Sequence, residues 1–290
     1  MSKIKGYKAF DKDLKCRDFQ YKVGENYKEK GDICCCDNGF HFCENPFDVL
    51  NYYPLIDDDG EFSRFAKVEG SGKVDRGKDK VCVSNIKVIE ELTLGDFVNN
   101  GVEFIQNQTK DSANYESVLS DNSGDSAQIG SSGYSAQIGS SGNYAQIGSS
   151  GNYAQIGSSG YSAQIGSSGY SAKIGSSGDS AKIGSSGNYA QIGSSGDSAQ
   201  IGSSGNYAQI GSSGDSAKIN SSGNYSVVMC AGNESKVRAK KGSWITLAEW
   251  EYDKEKDAYI PICVKTEQVD GERIKEDTYY TLKNGEFKEI

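Results

Sequence analysis

The stretch Gly178-Asp179-Ser180-Ala181-Lys182-Ile183-Gly184-Ser185-Ser186, followed at once by Gly187-Asn188-Tyr189-Ala190-Gln191-Ile192-Gly193-Ser194-Ser195, decides the fold. One nine-residue unit is written twice, and it recurs from Gly124 to Tyr225. Its isoleucines fall at Ile129, Ile138, Ile147, Ile156, Ile165, Ile174, Ile183, Ile192, Ile201, Ile210 and Ile219, each with an alanine two residues before it. That separation puts Ala and Ile on one side of an extended strand and the intervening Gln or Lys on the other. The Gly-Ser-Ser-Gly run reads as the turn, because glycine tolerates positive φ and serine satisfies turn backbone groups. A flexible linker of similar composition has no reason to keep its isoleucines in phase, so the segment reads as ordered.

A nine-residue strand and turn cannot enclose a core alone, and two copies back to back make an eighteen-residue coil. The late repeats carry that longer period. Asp179, Asn188, Asp197, Asn206, Asp215 and Asn224 alternate at the first variable position, and Ser180, Tyr189, Ser198, Tyr207, Ser216 and Tyr225 at the second. The expectation is a mainly β protein built on a two-sided parallel β-solenoid, with an interior of Ala and Ile and two broad faces of different chemistry. At about 4.8 Å per coil, eleven units give a rod on the order of 26 Å long. Stacking places Asp179, Asp197 and Asp215 in one ladder. Tyr189, Tyr207 and Tyr225 form another on the opposite face, with Tyr153 further up the same column.

The flanks differ in kind. Four segments follow: an α+β domain over residues 1–108, a connector over 109–123, the solenoid over 124–225, and a solenoid cap with a small C-terminal β domain over 226–290. In the first, Lys5 to Phe10, Phe19 to Val23, Gly39 to Cys43, Arg64 to Gly70 and Val81 to Ile89 read as strands. Pro46 starts a helix running to about Tyr53, and Leu92 to Val98 is a short amphipathic piece. In the last, Trp244 to Trp250, Ile260 to Lys265 and Thr278 to Leu282 read as strands, with Asn284-Gly285 as a hairpin turn.

Charge and composition narrow the function. A net charge of -9 disfavours a nucleic-acid binder that works by neutralising phosphates. The absence of a long apolar run and of a signal-peptide core points to a cytoplasmic protein without a membrane span, whose eight cysteines are reduced thiols.

Lys5-Gly6-Tyr7-Lys8-Ala9-Phe10-Asp11, Cys16-Arg17-Asp18-Phe19-Gln20-Tyr21, Gly39-Phe40-His41-Phe42-Cys43-Glu44-Asn45-Pro46 and Arg64-Phe65-Ala66-Lys67-Val68 resemble an uncharacterised domain family common in phages and prophages. The tail Lys241-Gly242-Ser243-Trp244-Ile245-Thr246-Leu247-Ala248-Glu249-Trp250 looks like the end segment of the same proteins, which often carry Ser, Gly and Ala rich repeats between. The resemblance implies a phage origin and lends no activity. A fainter similarity links the Gly-Phe-His-Phe strand and the helix after it to ADP-ribosyltransferase-like domains. It implies an alternative enzymatic reading with His41 as its first test, although no catalytic glutamate or NAD-binding histidine can be placed by motif.

Several constellations carry groups capable of chemistry. Cys34, Cys35, Cys36, His41 and Cys43 are soft ligands within ten residues, yet three adjacent cysteines cannot all point one way and no paired Cys-x-x-Cys is present, so no zinc site is expected. His41 and Cys43 read as strand residues, one half buried and one facing a loop, and together as a site within the N-terminal domain. The turns carry Ser where a calcium-binding nonapeptide has Gly and Asp, and Asp57-Asp58-Asp59-Gly60 reads as a solvated turn. A lone histidine gives little support to nucleophilic catalysis. The expectation is therefore a non-enzymatic, phage-encoded protein without cofactor or catalytic residue. It would bind a host protein, such as a defence or DNA-processing factor, in the host cytoplasm through Tyr153, Tyr189, Tyr207, Tyr225, Asp179, Asp197 and Asp215. The structural alternative is assembly of copies of this chain into a virion part.

Overall fold

Every described strand of the first unit pairs antiparallel with a neighbour. The computed structural model describes residues 3–35, 37–57, 61–108, 119–122 and 124–290, and the chain divides into two units, residues 1–104 and 105–290. The first contains β1 (Ile4–Phe10), β2 (Lys15–Cys16), β3 (Phe19–Gln20), β4 (Asn26–Lys28), β5 (Phe40–Phe42), β6 (Arg64–Arg76), β7 (Val81–Leu92) and α1 (Leu94–Gln108), which runs past its boundary. The sheet runs β1-β6-β7, with both β4 and β5 paired to the far edge of β7. Main-chain hydrogen bonds of 2.7 and 2.9 Å between Tyr7 and Cys43 tie the end of β5 back to β1, so the sheet curls round. Phe10, Tyr21, Phe40, Phe42, Val68, Val83 and Val88 fill the interior.

Three elements depart from the sequence reading. The helix expected after Pro46 is a single 3-10 stretch, Phe47–Asn51, which buries Phe47, Val49 and Leu50. The strand expected over Phe19 to Val23 stops at Gln20, where its partner Lys15–Cys16 ends. The short amphipathic piece is the start of α1, fifteen residues long. Gly95, Asn99, Asn100 and Gly101 lower its intrinsic propensity. Packing overrides them, because Phe97 stacks on Phe65 at 3.9 Å and Val98 and Val102 are buried. Thr93 and Asp96 cap its start reciprocally, Thr93 Oγ1 donating to the Asp96 carboxylate at 2.6 Å and accepting from the Asp96 amide at 3.1 Å.

The second unit is the solenoid. Strands Gln137–Ser140, Gln155–Ser158, Lys173–Ser176, Gln191–Ser194 and Gln209–Ser212 form a front sheet. Gln128–Ser131, Gln146–Ser149, Gln164–Ser167, Lys182–Ser185, Gln200–Ser203 and Lys218–Ser221 form a back sheet. Pairing is parallel and each residue meets the one eighteen positions on. Parallel register continues past Tyr225 through Val227–Cys230 and Lys236–Ala239 to Leu247, with Val228, Val237 and Ile245 taking over the buried isoleucine column. The coil therefore makes about seven turns between residues 128 and 247. Antiparallel hairpins then close it, Trp244–Asp253 with Ala258–Gln268 and Tyr280–Lys283 with Glu286–Glu289. Asn284 and Gly285 make the second turn with φ of 52° and 65°, as their sequence required. Val269, Ile274, Tyr280 and Leu282 cover the last Ile-type layer.

Two local expectations are corrected. The strand is Gln or Lys-Ile-Gly-Ser, so the repeat's serine after glycine belongs to the sheet and the turn falls on the next Ser-Gly and the two variable residues. Serine stands two residues beyond isoleucine, on the same side, so the interior is Ala, Ile and Ser rather than Ala and Ile alone. Positive φ is carried by the second variable residue, for example Ser180 at 57° and Tyr189 at 59°, and not by glycine. The turn glycine has another reason: a Cβ on Gly178 would lie 2.0 Å from the carbonyl oxygen of Gly160 in the preceding coil.

Candidate binding edge and candidate pocket

Because the variable residues form the turns, they line the two narrow edges of the solenoid and not its broad faces as expected. Along one edge stand Tyr134, Tyr153, Tyr170, Tyr189, Tyr207 and Tyr225, with successive ring centroids 5.2, 6.0, 5.2, 4.9 and 5.7 Å apart. Tyr189 and Tyr207 stack at 14°, Tyr207 and Tyr225 at 23°. Every one of these rings is at least 42% exposed. The four tyrosines foreseen in this column are in it. Tyr134 and Tyr170 were missed because they occupy the first variable position, one residue out of phase, yet their side chains join the same file. Beneath the rings runs an amide ladder in which Asn188 Oδ1 accepts the Asn206 amide at 2.8 Å and Asn206 Oδ1 accepts that of Asn224 at 2.9 Å.

Asp179, Asp197 and Asp215 line the opposite edge. Asp179 Oδ1 accepts the Asp197 amide at 3.0 Å, Asp197 Oδ1 that of Asp215 at 2.8 Å, and Asp215 Oδ1 that of Asn233 at 2.7 Å. Each carboxylate thus fastens one coil to the next, and the asparagines opposite do the same without charge. On the back face Gln128 Nε2 donates to Gln146 Oε1 at 3.0 Å, and Gln146 and Gln164 are buried. On the front face Gly139, Gly157, Gly175, Gly193 and Gly211, beside the exposed Gln137, Gln155, Lys173, Gln191 and Gln209, floor a shallow trough of about 940 Å³ that ends at Val227 and Met229.

The first unit holds a cavity of about 680 Å³ around Lys8, Cys16 and His41. Lys8 is 5% exposed. Its Nζ donates to the His41 carbonyl at 2.8 Å and to Cys16 Sγ at 3.5 Å, and lies 5.6 and 5.3 Å from the ring centres of Phe10 and Tyr21. Burial pulls the pKa of Lys8 down, with the neighbouring Cys16 opposing it. His41 is half buried in β5, and burial, then the positive charges of Lys8, Lys80 and Arg17, hold its imidazole below the ordinary value of 6.5. Cys43 does not face a loop: it is 2% exposed against β1, and burial pushes its thiol far up, out of the thiolate range. Lys8 itself went unremarked in the sequence, since a lysine in an alternating strand reads as a solvent-facing residue.

The cysteine run does not assemble a metal centre. Cys34 is exposed, the Cys35 amide donates to Asp75 at 2.7 Å, and Cys36 lies outside the described residues. Among the described residues no three of His, Cys, Asp and Glu stand close enough to hold a metal ion. Asp58 to Gly60 also lie outside the description, while Asp57 accepts the Glu61 amide at 2.8 Å. No described helix is long and apolar enough to cross a membrane.

Residues 4–100 are similar to a domain of unknown function, DUF7666, whose family model spans the strands of the first unit and the start of α1. No curated protein and no solved structure matches the chain.

Proposed function

We propose that this is a non-enzymatic, phage-encoded interaction protein that docks a host protein on its solenoid in the host cytoplasm. The observation that carries the reading is the single file of six exposed tyrosines along one edge. Tyrosine is enriched at protein interfaces, where it supplies large contact area with few rotatable bonds. Here each ring is already ordered by its neighbours and by a backbone hydrogen-bonded to the next coil, so little entropy is lost on docking. The Asp edge contributes less, because its carboxylates already accept amides within the solenoid. A host defence or DNA-processing factor fits the phage-like first unit and the acidic net charge.

The solenoid supplies its own control. Ser180, Ser198 and Ser216 occupy the opposite edge in the same backbone conformation as Tyr189, Tyr207 and Tyr225, with φ between 54° and 59° in all six. Replacing the three tyrosines by serine is therefore expected to leave the coil intact. Host lysate passed over the full chain should yield a protein that binds the purified wild type directly and binds the triple serine variant at least about tenfold more weakly. Equal binding by the two proteins would refute the tyrosine edge as the docking surface.

A further inference from the structure

The cavity in the first unit has a feature that neither the curled sheet nor a solenoid-borne function accounts for. Lys8, buried in its wall, has no counter-ion among the described residues. Asp18, Glu29 and Asp37 line the same cavity, and none of them bonds Lys8. A buried ammonium is costly unless an anion offsets it. Of its three donors, one is satisfied by the His41 carbonyl at 2.8 Å and one meets the weak acceptor Cys16 Sγ at 3.5 Å. Arg17 and Lys80 line the same cavity, and their positive charges, with that of Lys8, act on His41. Around these cations the cavity is walled by flat rings, with Phe19, Tyr21 and Phe40 packed edge to face or tilted on one another at 4.8 to 6.3 Å. The volume of about 680 Å³ is that of a small-molecule site.

We infer that this cavity binds a small planar anion, a ring bearing one phosphate or carboxylate, whose charge supplies the partner that Lys8 lacks and whose ring lies among the aromatic walls. The inference does not rest on the docking edge and stands or falls separately from it.

The test is calorimetric titration of the full chain with phenyl phosphate and with benzoate, set against phenol and inorganic phosphate as the separate halves. At least one ring anion is expected to saturate the protein below about 10 mM and to bind about tenfold more tightly than either half. Lys8→Met keeps the apolar stem and removes the buried charge, so the fold should persist, as an unchanged melting curve would show. In that variant the affinity should fall at least about tenfold, whereas Lys8→Arg should retain part of it. The inference is overturned if neither ring anion saturates, if phosphate alone binds as well as the ring anions, or if folded Lys8→Met binds like the wild type. If Lys8→Met does not fold, displacement of the single histidine NMR signal of the wild type by phenyl phosphate or benzoate decides, and an unmoved signal overturns it.

Discussion

At the scale of single residues, His41 is the most direct probe, because it is the only histidine in the chain. Burial and three nearby cations disfavour its protonated form, so the folded state takes up its proton at lower pH than the unfolded state does. The sign follows from linkage: above about pH 6.5 neither state carries the proton and His41 contributes nothing, and below it the unfolded chain gains one first. Acidification from pH 6.5 down to the lowered folded value therefore destabilises the first unit, and His41→Gln should flatten that slope. Its imidazole resonance should titrate with a midpoint below 6.5, and a midpoint at or above that value would contradict the placement. Inside the solenoid the instructive residue is serine. The hydroxyls at every ninth position from Ser149 to Ser221 are buried and accept or donate no hydrogen bond. Replacing one by alanine removes a polar group that folding desolvates without return. Ser185→Ala is expected to stabilise the protein by about 1 kcal/mol, measured by chemical denaturation.

Single elements show why two glycines in one repeat are not equivalent. A Cβ on Gly175 meets nothing within 4 Å, whereas one on Gly178 would collide with the preceding coil's backbone at 2.0 Å. Gly175→Ala should be neutral or stabilise by up to about 1 kcal/mol through lower unfolded-state entropy. Gly178→Ala should cost more than about 3 kcal/mol, because backbone and not a flexible side chain must move. Melting curves of the two variants give the comparison. The strands were legible because Ala and Ile recur at a separation of two with a nine-residue period, and the eighteen-residue coil because Asp and Asn alternate. The place of the turn was not, since Gly-Ser-Ser satisfies turn chemistry and extended structure alike, and close approach between coils is a tertiary fact. For the same reason the ladders were assigned to faces when they belong to edges. The helix from Leu94 was half legible: its apolar spacing is regular, but its glycines and asparagines hide how far Phe65 and the neighbouring core extend it. Lys8 was illegible, because the groups that enclose its side chain, the His41 carbonyl, Cys16 and the Tyr21 ring, come from elsewhere in the chain.

For the whole molecule, the pairing of each repeat residue with the one eighteen positions on makes the two edges a matter of phase. Deleting residues 179–196 joins Gly178 to Asp197 and keeps every later turn on its own edge, so the protein should fold with a rod about 4.8 Å shorter. Deleting residues 179–187 joins Gly178 to Asn188 and carries Tyr189, Tyr207 and Tyr225 to the edge opposite Tyr134, Tyr153 and Tyr170. Small-angle scattering should show the shortened rod for the first deletion. The second leaves Tyr134, Tyr153 and Tyr170 on their own edge and adds the other three rings to the Tyr144–Tyr161 pair on the opposite one, so a partner that spans all six rings of the wild-type file should bind it more weakly.

The same pairing rule has a consequence for descent. Near-identical repeats in a gene misalign during recombination, and an exchange displaced by two units adds or removes a closed layer without altering any inward side chain or splicing point. Lineages can then vary in reach while the terminal segments stay unchanged, whereas an exchange displaced by one unit inverts everything downstream of it. Selection acting on the tyrosine edge would therefore tolerate length changes in pairs of nonapeptides and purge the odd ones.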